Sequence, residues 1–238
     1  MILTDMSLPI FYQENLDLES SEFELGEDAS RHIIQVLRMQ VGEEIMLTDG
    51  NGSMMIVKIV DDHKKKCRVS KMSLERIAPS SRKITIAISP VKNTSRFEWF
   101  LEKATEMGVH AIIPLICKRT EKQHFKKDRM KAILISAMLQ SKQAYLPELH
   151  DPISFLQTVK DSEHVTKCIA HCESGKEKNP FRQLCVHDEI LILIGPEGDF
   201  TTEEIEAALT KNFIPVSLGE TRLRTETAGV SAAALFCI

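Results

Sequence analysis

The segment "EILILIGPEGDFTTEEIEAALT", residues 189–210, restricts the possible folds more than any other. Residues 190–194 are apolar at every position, so a strand made from them is apolar on both faces. Such a strand belongs inside a parallel sheet that is covered on both sides. A helix must follow at once, because Thr201 and Glu204 have capping-box spacing, flanked by Phe200 and Ile205 as a hydrophobic staple. Between strand and helix, Gly195 and Gly198 let the backbone turn sharply and Pro196 stiffens the turn. Read alone, "GPEG" serves equally well as a tight turn or as a ligand loop. It is no phosphate cradle, since neither glycine-rich phosphate-binding pattern occurs in the chain.

The same grammar runs from residue 84 onward. "ITIAISP", "HAIIPLIC", "VTKCIAHC" and "IPVSLG" read as strands. "SRFEWFLEKATEMG" reads as a helix opened by a Ser95–Glu98 capping box and closed by Gly108. "KDRMKAILISAMLQSKQAY" and "TETAGVSAAALFCI" supply further helices, with Thr225 or Thr227 able to cap the last one. Strands alternating with helices define an α/β domain.

The first 76 residues are different. Asp49-Gly50-Asn51-Gly52 joins two apolar runs as a hairpin. "CRVSKMSLERI" reads as another strand, and "DASRHIIQVLRMQVG" has helical spacing, with Asp28 or Ser30 as cap and Gly42 as stop. A small β-barrel with one inserted helix fits residues 1–76, and "IAPSSRK", residues 77–83, is the natural linker to 84–238.

Composition excludes several classes. No apolar run reaches the roughly 18 residues of a membrane span, and the acidic N-terminus lacks signal-peptide features. Six scattered cysteines point to free thiols in the cytoplasm. In "TKCIAHCE", strand alternation places His171 opposite Cys168 and Cys172, which weighs against zinc; no metal is expected. A net charge of −4 argues against non-specific nucleic-acid binding as the whole function. Yet residues 118–131 hold seven Lys/Arg against two acids, either a solvated helix face or an RNA contact.

One stretch is too polar for its place. "SLGETRLRTETAG", residues 217–229, leaves an apolar strand carrying Arg222, Arg224 and Glu226, none of which a helix cap needs. In open α/β sheets, ligands gather at the carboxyl ends of strands, where this loop and "GPEG" plausibly meet.

Together, "IGPEGDFTTEEI" and "PVSLGETRLRTETA" closely resemble the signature of the RsmE family, bacterial enzymes that methylate N3 of a uridine in 16S ribosomal RNA with S-adenosylmethionine. The resemblance extends to "HIIQVLRMQVGEEIMLTDGNG", "EWFLEKATEMGVHAIIPLICKRTE" and "LPEL", so it covers most of the chain. It implies a PUA-like β-barrel, then a SPOUT α/β domain with a C-terminal trefoil knot, a knot-mediated homodimer, and 16S rRNA within the 30S subunit as partner. Two departures stand out. Asp199 occupies a position where the family usually has glycine, and "LQSKQ", residues 139–143, replaces the usual "EQSxR".

The site residues the resemblance implies are these. Ile194, Gly195, Gly198, Leu218, Gly219, Leu223, Thr225 and Thr227 would hold the cofactor. Arg224 would stabilise the uracil anion or a flanking phosphate, and Glu226, Glu197 or equally solvent would accept the proton, unless Glu226 merely pairs with Arg224. Arg31, His32 and Arg38 in the first domain, and Lys92, Lys103, Arg119 and Lys122 in the second, would face RNA. The alternatives are a non-catalytic RNA-binding module and a SPOUT enzyme acting on tRNA.

Overall fold

A computed structural model describes residues 8–121, 125–173 and 177–238, so Lys122 lies outside the described residues. The chain divides into two units, residues 1–79 with 138–146, and residues 80–137 with 147–238. The reach of 138–146 into the first unit has no counterpart in a linear boundary near residue 80.

The first unit is built on β1 (Ile10–Tyr12), β2 (Glu22–Glu24), α1 (Glu27–Arg31), β3 (Glu44–Thr48), β4 (Ser53–Asp61) and β5 (Arg68–Arg76). Its sheet runs β1-β3-β4-β5-β2, with β3–β4 and β4–β5 antiparallel. The expected hairpin joins β3 to β4, and Gly50 and Gly52 take φ of 69° and 92°. Gly52 lies against the Tyr145 phenol with no room for a Cβ, and its N–H donates to the Ala144 carbonyl at 2.9 Å. The Tyr145 hydroxyl donates to the Ile77 carbonyl at 2.7 Å, which helps explain why residues 138–146 belong here. Leu25, Ile33, Ile45, Leu47, Met55, Val57 and Val69 fill the core.

The helix expected over residues 28–42 is shorter and irregular. α1 starts after Gly26 and passes at His32 into a π-helical turn, His32–Val36. The chain then turns through Arg38 at φ 58°, well before Gly42. Ser30 does not cap. It is fully buried, donating to the Leu25 carbonyl at 3.1 Å and accepting the Cys67 N–H at 3.0 Å, so it ties the helix to the sheet. A cap signal in sequence does not distinguish a terminal hydroxyl from one with a distant partner.

The second unit comprises β6 (Lys83–Ile88), α2 (Thr94–Glu106), β7 (Ala111–Ile116), α3 (Lys127–Gln140, its last turn in the first unit), β8 (Glu148–Leu149), β9 (Ile153–Ser154), α4 (Phe155–Asp161), β10 (Thr166–Ala170), β11 (Asn179–Pro180), α5 (Phe181–Leu184), β12 (Glu189–Ile194), α6 (Thr202–Thr210), β13 (Ile214–Ser217) and α7 (Thr225–Cys237). Its parallel sheet runs β11-β13-β10-β12-β6-β7-β8. Ile190–Ile194 of β12 are all buried, as a strand apolar on both faces requires. α7 packs against α2, β6 and β12. Among the described residues, no helix is long and apolar enough to cross a membrane.

Capping followed the sequence at α6 and departed from it elsewhere. Thr201 accepts the Glu204 N–H while Glu204 accepts the Thr201 N–H, and Phe200 and Ile205 share one core cluster. α2 is capped by Asn93, whose side chain accepts the Ser95 N–H at 3.0 Å, rather than by Ser95. Glu98 instead pairs with Arg129 through two hydrogen bonds of 2.6 and 3.1 Å. α7 has no side-chain cap, because the Thr225 hydroxyl donates to the Gly195 carbonyl at 3.0 Å.

Candidate active site

β13, β10 and β12 are neighbours in the sheet, so the loops at their carboxyl ends lie side by side. β12 also borders β6. The chain leaves β6 toward β7 on one side and β12 toward β13 on the other, which makes their junction a topological switch point. A cavity of about 790 Å³ opens here.

Its apolar wall comes from Ala170, Ile194, Val216, Leu218 and Leu223. Charge is supplied by Arg96, Glu197, Glu220, Arg222, Arg224 and Glu226. An apolar wall with a handful of convergent polar groups at this volume is the usual form of a small-molecule site.

The "GPEG" loop is fastened along its length. Gly195 accepts from Thr225, and the Glu197 carboxylate accepts the Lys92 N–H at 3.0 Å. The Arg119 guanidinium donates to the carbonyls of Gly198 at 2.7 Å and Phe200 at 3.3 Å. Gly195 has little room for a side chain, since a Cβ would sit 3.2 Å from the Phe200 ring.

Of the residues expected to hold a cofactor, Ile194, Gly195, Leu218, Gly219, Leu223 and Thr225 line the cavity, whereas Gly198 and Thr227 do not. Arg224, Glu226 and Glu197 all line it. Arg224 is exposed and makes no ion pair among the described residues, so its guanidinium is available to a ligand. Glu226 is only 6 % exposed and lies 3.7 Å from the Arg96 guanidinium, so its ion partner is Arg96 and not Arg224.

The residues expected to face RNA differ in how free they are. Arg31 is exposed and paired with Glu27 at 2.6 Å, while His32 packs edge-on against Phe11. Lys92 pairs with Glu121 at 3.1 Å. Lys103 is held between Glu102 and Glu106 at 2.7 and 2.9 Å, contacts that raise its pKa, and Arg119 serves the loop carbonyls.

Arg96, Asp199 and Cys172 are cavity residues that sequence reasoning missed. Arg96 had a signal. It stands in the first turn of α2, where the helix dipole disfavours a cation, so something other than helix stability keeps it there. β10 stops at Ala170, so His171 and Cys172 belong to the loop and not to an alternating strand. Among the described residues, no cluster of ligating side chains could hold a metal.

Comparison with known proteins gives the chain its family. The profile of the RNA methyltransferase domain matches residues 78–237, and that of the RNA methyltransferase PUA domain matches residues 25–72. The ribosomal RNA small subunit methyltransferase E of Synechocystis sp. is 32% identical over 214 residues, 87% of this chain and 70% of the relative. The chain belongs to the ribosomal RNA small subunit methyltransferase E family. The crystal structure of a probable rRNA-methyltransferase from Porphyromonas gingivalis superposes with a TM-score of 0.87 at 40% identity, over 95% of this chain and 96% of the other. The family enzyme of Neisseria gonorrhoeae, bound to S-adenosyl methionine, superposes with a TM-score of 0.81 at 28% identity over 95% of both chains.

Proposed function

We propose that this protein methylates N3 of a uridine in 16S rRNA, using S-adenosylmethionine bound in the cavity at the ends of β10, β12 and β13. The observation that carries the reading is the cavity itself, an apolar cleft rimmed by Arg96, Arg224 and the buried Glu226. The residues present suit the cofactor. Ile194, Leu218 and Leu223 can sandwich an adenine, backbone groups of the loops can read its edge, and the nearby carboxylates suit a cationic ligand. When bound, the cofactor supplies an electrophilic methyl group on a sulfonium.

The protein's own task is to prepare the nucleophile. Uridine N3 carries a proton at neutral pH, and its removal leaves negative charge on O2 and O4. Glu226, oriented by Arg96, is the better placed proton acceptor, because Glu197 spends one oxygen on the Lys92 N–H. Arg224, unpaired at the rim, stabilises the developing anion or a flanking phosphate. Arg31, His32, Arg38, Lys92, Lys103, Arg119 and Lys122 position RNA through phosphates, and Arg31, Lys92 and Lys103 exchange carboxylate partners, and Arg119 its loop carbonyls, for the RNA.

The wider setting follows from the same reading. The substrate is 16S rRNA within the 30S subunit, and the enzyme works in the cytoplasm. The return of α7 to α2 and β6 after β13 supports a knotted C-terminus. The face of α7 bearing Val230, Ser231, Ala234 and Leu235 is only half-buried, which supports a homodimer through this helix.

The test is transfer of labelled methyl to 30S particles and to 16S rRNA lacking the modification, followed by mapping of the modified nucleotide. No incorporation, or incorporation into tRNA alone, sinks the reading. Arg224→Ala should lower turnover by about 100-fold or more while leaving S-adenosylmethionine affinity within about threefold. Loss of cofactor binding would show that Arg224 has been given the wrong role.

A further inference from the structure

Asp199 occupies a backbone conformation that L side chains avoid, with φ of 62°. Aspartate is among the residues that tolerate it best, but glycine does so without strain. The side chain is therefore kept for what it does. One carboxylate oxygen accepts the Phe200 N–H at 2.8 Å, immediately before the N-cap of α6. The other accepts the Cys172 N–H at 2.8 Å, across 27 residues of sequence. The Asp199 N–H closes the turn on the Pro196 carbonyl at 2.9 Å. Asp199 and Cys172 both line the cavity, and they belong to two different loops, those leaving β12 and β10.

We propose that Asp199 is a positioning residue that locks the β10 loop to the "GPEG" loop and so presets the cavity for its ligand. It acts through the Cys172 and Phe200 amides and touches no reacting atom. The bonds are charge-assisted, and hence stronger than the amide-to-water bonds that would replace them. The bond to Cys172 crosses between the two loops, beside a longer contact of 3.4 Å from the Thr202 hydroxyl to the Glu173 carboxylate, and the bond to Phe200 fixes the carboxylate that makes it. A preformed site loses less freedom on binding, so the lock should appear in affinity before it appears in turnover. The inference rests on the cavity being the S-adenosylmethionine site, and the experiment separates the two.

Binding of S-adenosylmethionine and S-adenosylhomocysteine is measured by calorimetry for the wild type, Asp199→Gly and Asp199→Asn, alongside amide hydrogen exchange without ligand. Glycine relieves the strained φ while deleting both acceptors. Asparagine keeps the backbone preference and one acceptor, so it guards against a general failure of the glycine variant to fold. The expected result is affinity weakened by about tenfold or more in Asp199→Gly and less in Asp199→Asn. Exchange at Cys172 should accelerate while the strand amides of β10 and β12 hold. Turnover at saturating cofactor should fall much less than affinity. Affinity within twofold of wild type overturns the proposal, as does unchanged exchange at Cys172. If the wild type binds neither nucleoside, the cofactor reading itself fails.

Discussion

Gly229 offers a test in which two opposing effects predict opposite signs. It lies in α7, where replacing glycine with alanine ordinarily stabilises a helix by about 1 kcal/mol. Here a Cβ would stand 2.6 Å from the Phe100 ring and 2.8 Å from the Ile88 methyl, where carbon atoms in contact prefer about 3.5 Å or more. Both neighbours are fully buried, Phe100 in α2 and Ile88 in β6, so neither has space to retreat into. Overpacking of this kind costs about 1–3 kcal/mol, and the tightness of both contacts places the cost in the upper part of that range. The net effect of Gly229→Ala is then a loss of about 1–2 kcal/mol. For a chain of this size that lowers the Tm by roughly 2–8 °C. Scanning calorimetry reads it directly. Gly198→Ala is the control, because its Cβ would meet only the Arg119 side chain at 3.4 Å, and the change should stay within about 0.5 kcal/mol. An unchanged or raised Tm for Gly229→Ala would mean that helix propensity wins, and that α7 is not pressed against α2 and β6 as described.

Two other measurements probe side chains with known surroundings. Cys172 is exposed at the cavity, whereas Cys67, Cys117 and Cys168 are buried, and burial pushes the Cys67 thiol up to about 11, the Cys168 thiol up to about 12 and Cys117 higher still. Iodoacetamide should therefore alkylate Cys172 first, and S-adenosylhomocysteine should slow it; equal labelling of the buried thiols in the native protein would contradict the packing. His164 has its pKa lowered by burial, partly opposed by Glu189 and reinforced by His110, Lys167 and His150. Its folded form resists protonation, so its contribution to stability is complete above the unfolded pKa of about 6.5 and is lost as pH falls through the folded pKa. The Tm should drop below about pH 6.5, less steeply in His164→Asn, and an identical slope in the two proteins would remove His164 as the cause.

What was legible in the sequence was chemistry whose partners are a few residues away. The α6 capping box needs only Thr201 and Glu204, and both do what their spacing predicts. The β3–β4 hairpin needs only Gly50 and Gly52. Errors arose where a side chain had a better partner far along the chain. Ser95 lost the cap to Asn93 while Glu98 turned to Arg129, Ser30 went to Leu25 and Cys67, and Thr225 went to Gly195. The π-helical turn after His32 leaves no mark in apolar spacing, because Ile33 and Leu37 fit a regular helix just as well. The site divides in the same way. The two loops announce themselves by glycine and by excess charge, but Arg96 and Cys172 arrive from α2 and the β10 loop, and only the fold brings them there.

The order of strands has a consequence for how the protein comes to exist in a cell. β6, the first strand of the second unit, must wait for β12 on one side and for α7 above it, and the Lys92–Glu197 contact joins residues 105 apart in sequence. Pairings this distant form slowly, since a long loop must close before any contact rewards it. On the ribosome, β6 and α2 therefore emerge with their apolar faces uncovered and stay so through most of the synthesis of the second unit. Apolar surface and a strand edge left uncovered for that long favour aggregation. A synthesis interrupted before α7 would yield no weak version of the enzyme, because the helix that closes the core also brings Thr225 and Glu226 to the cavity.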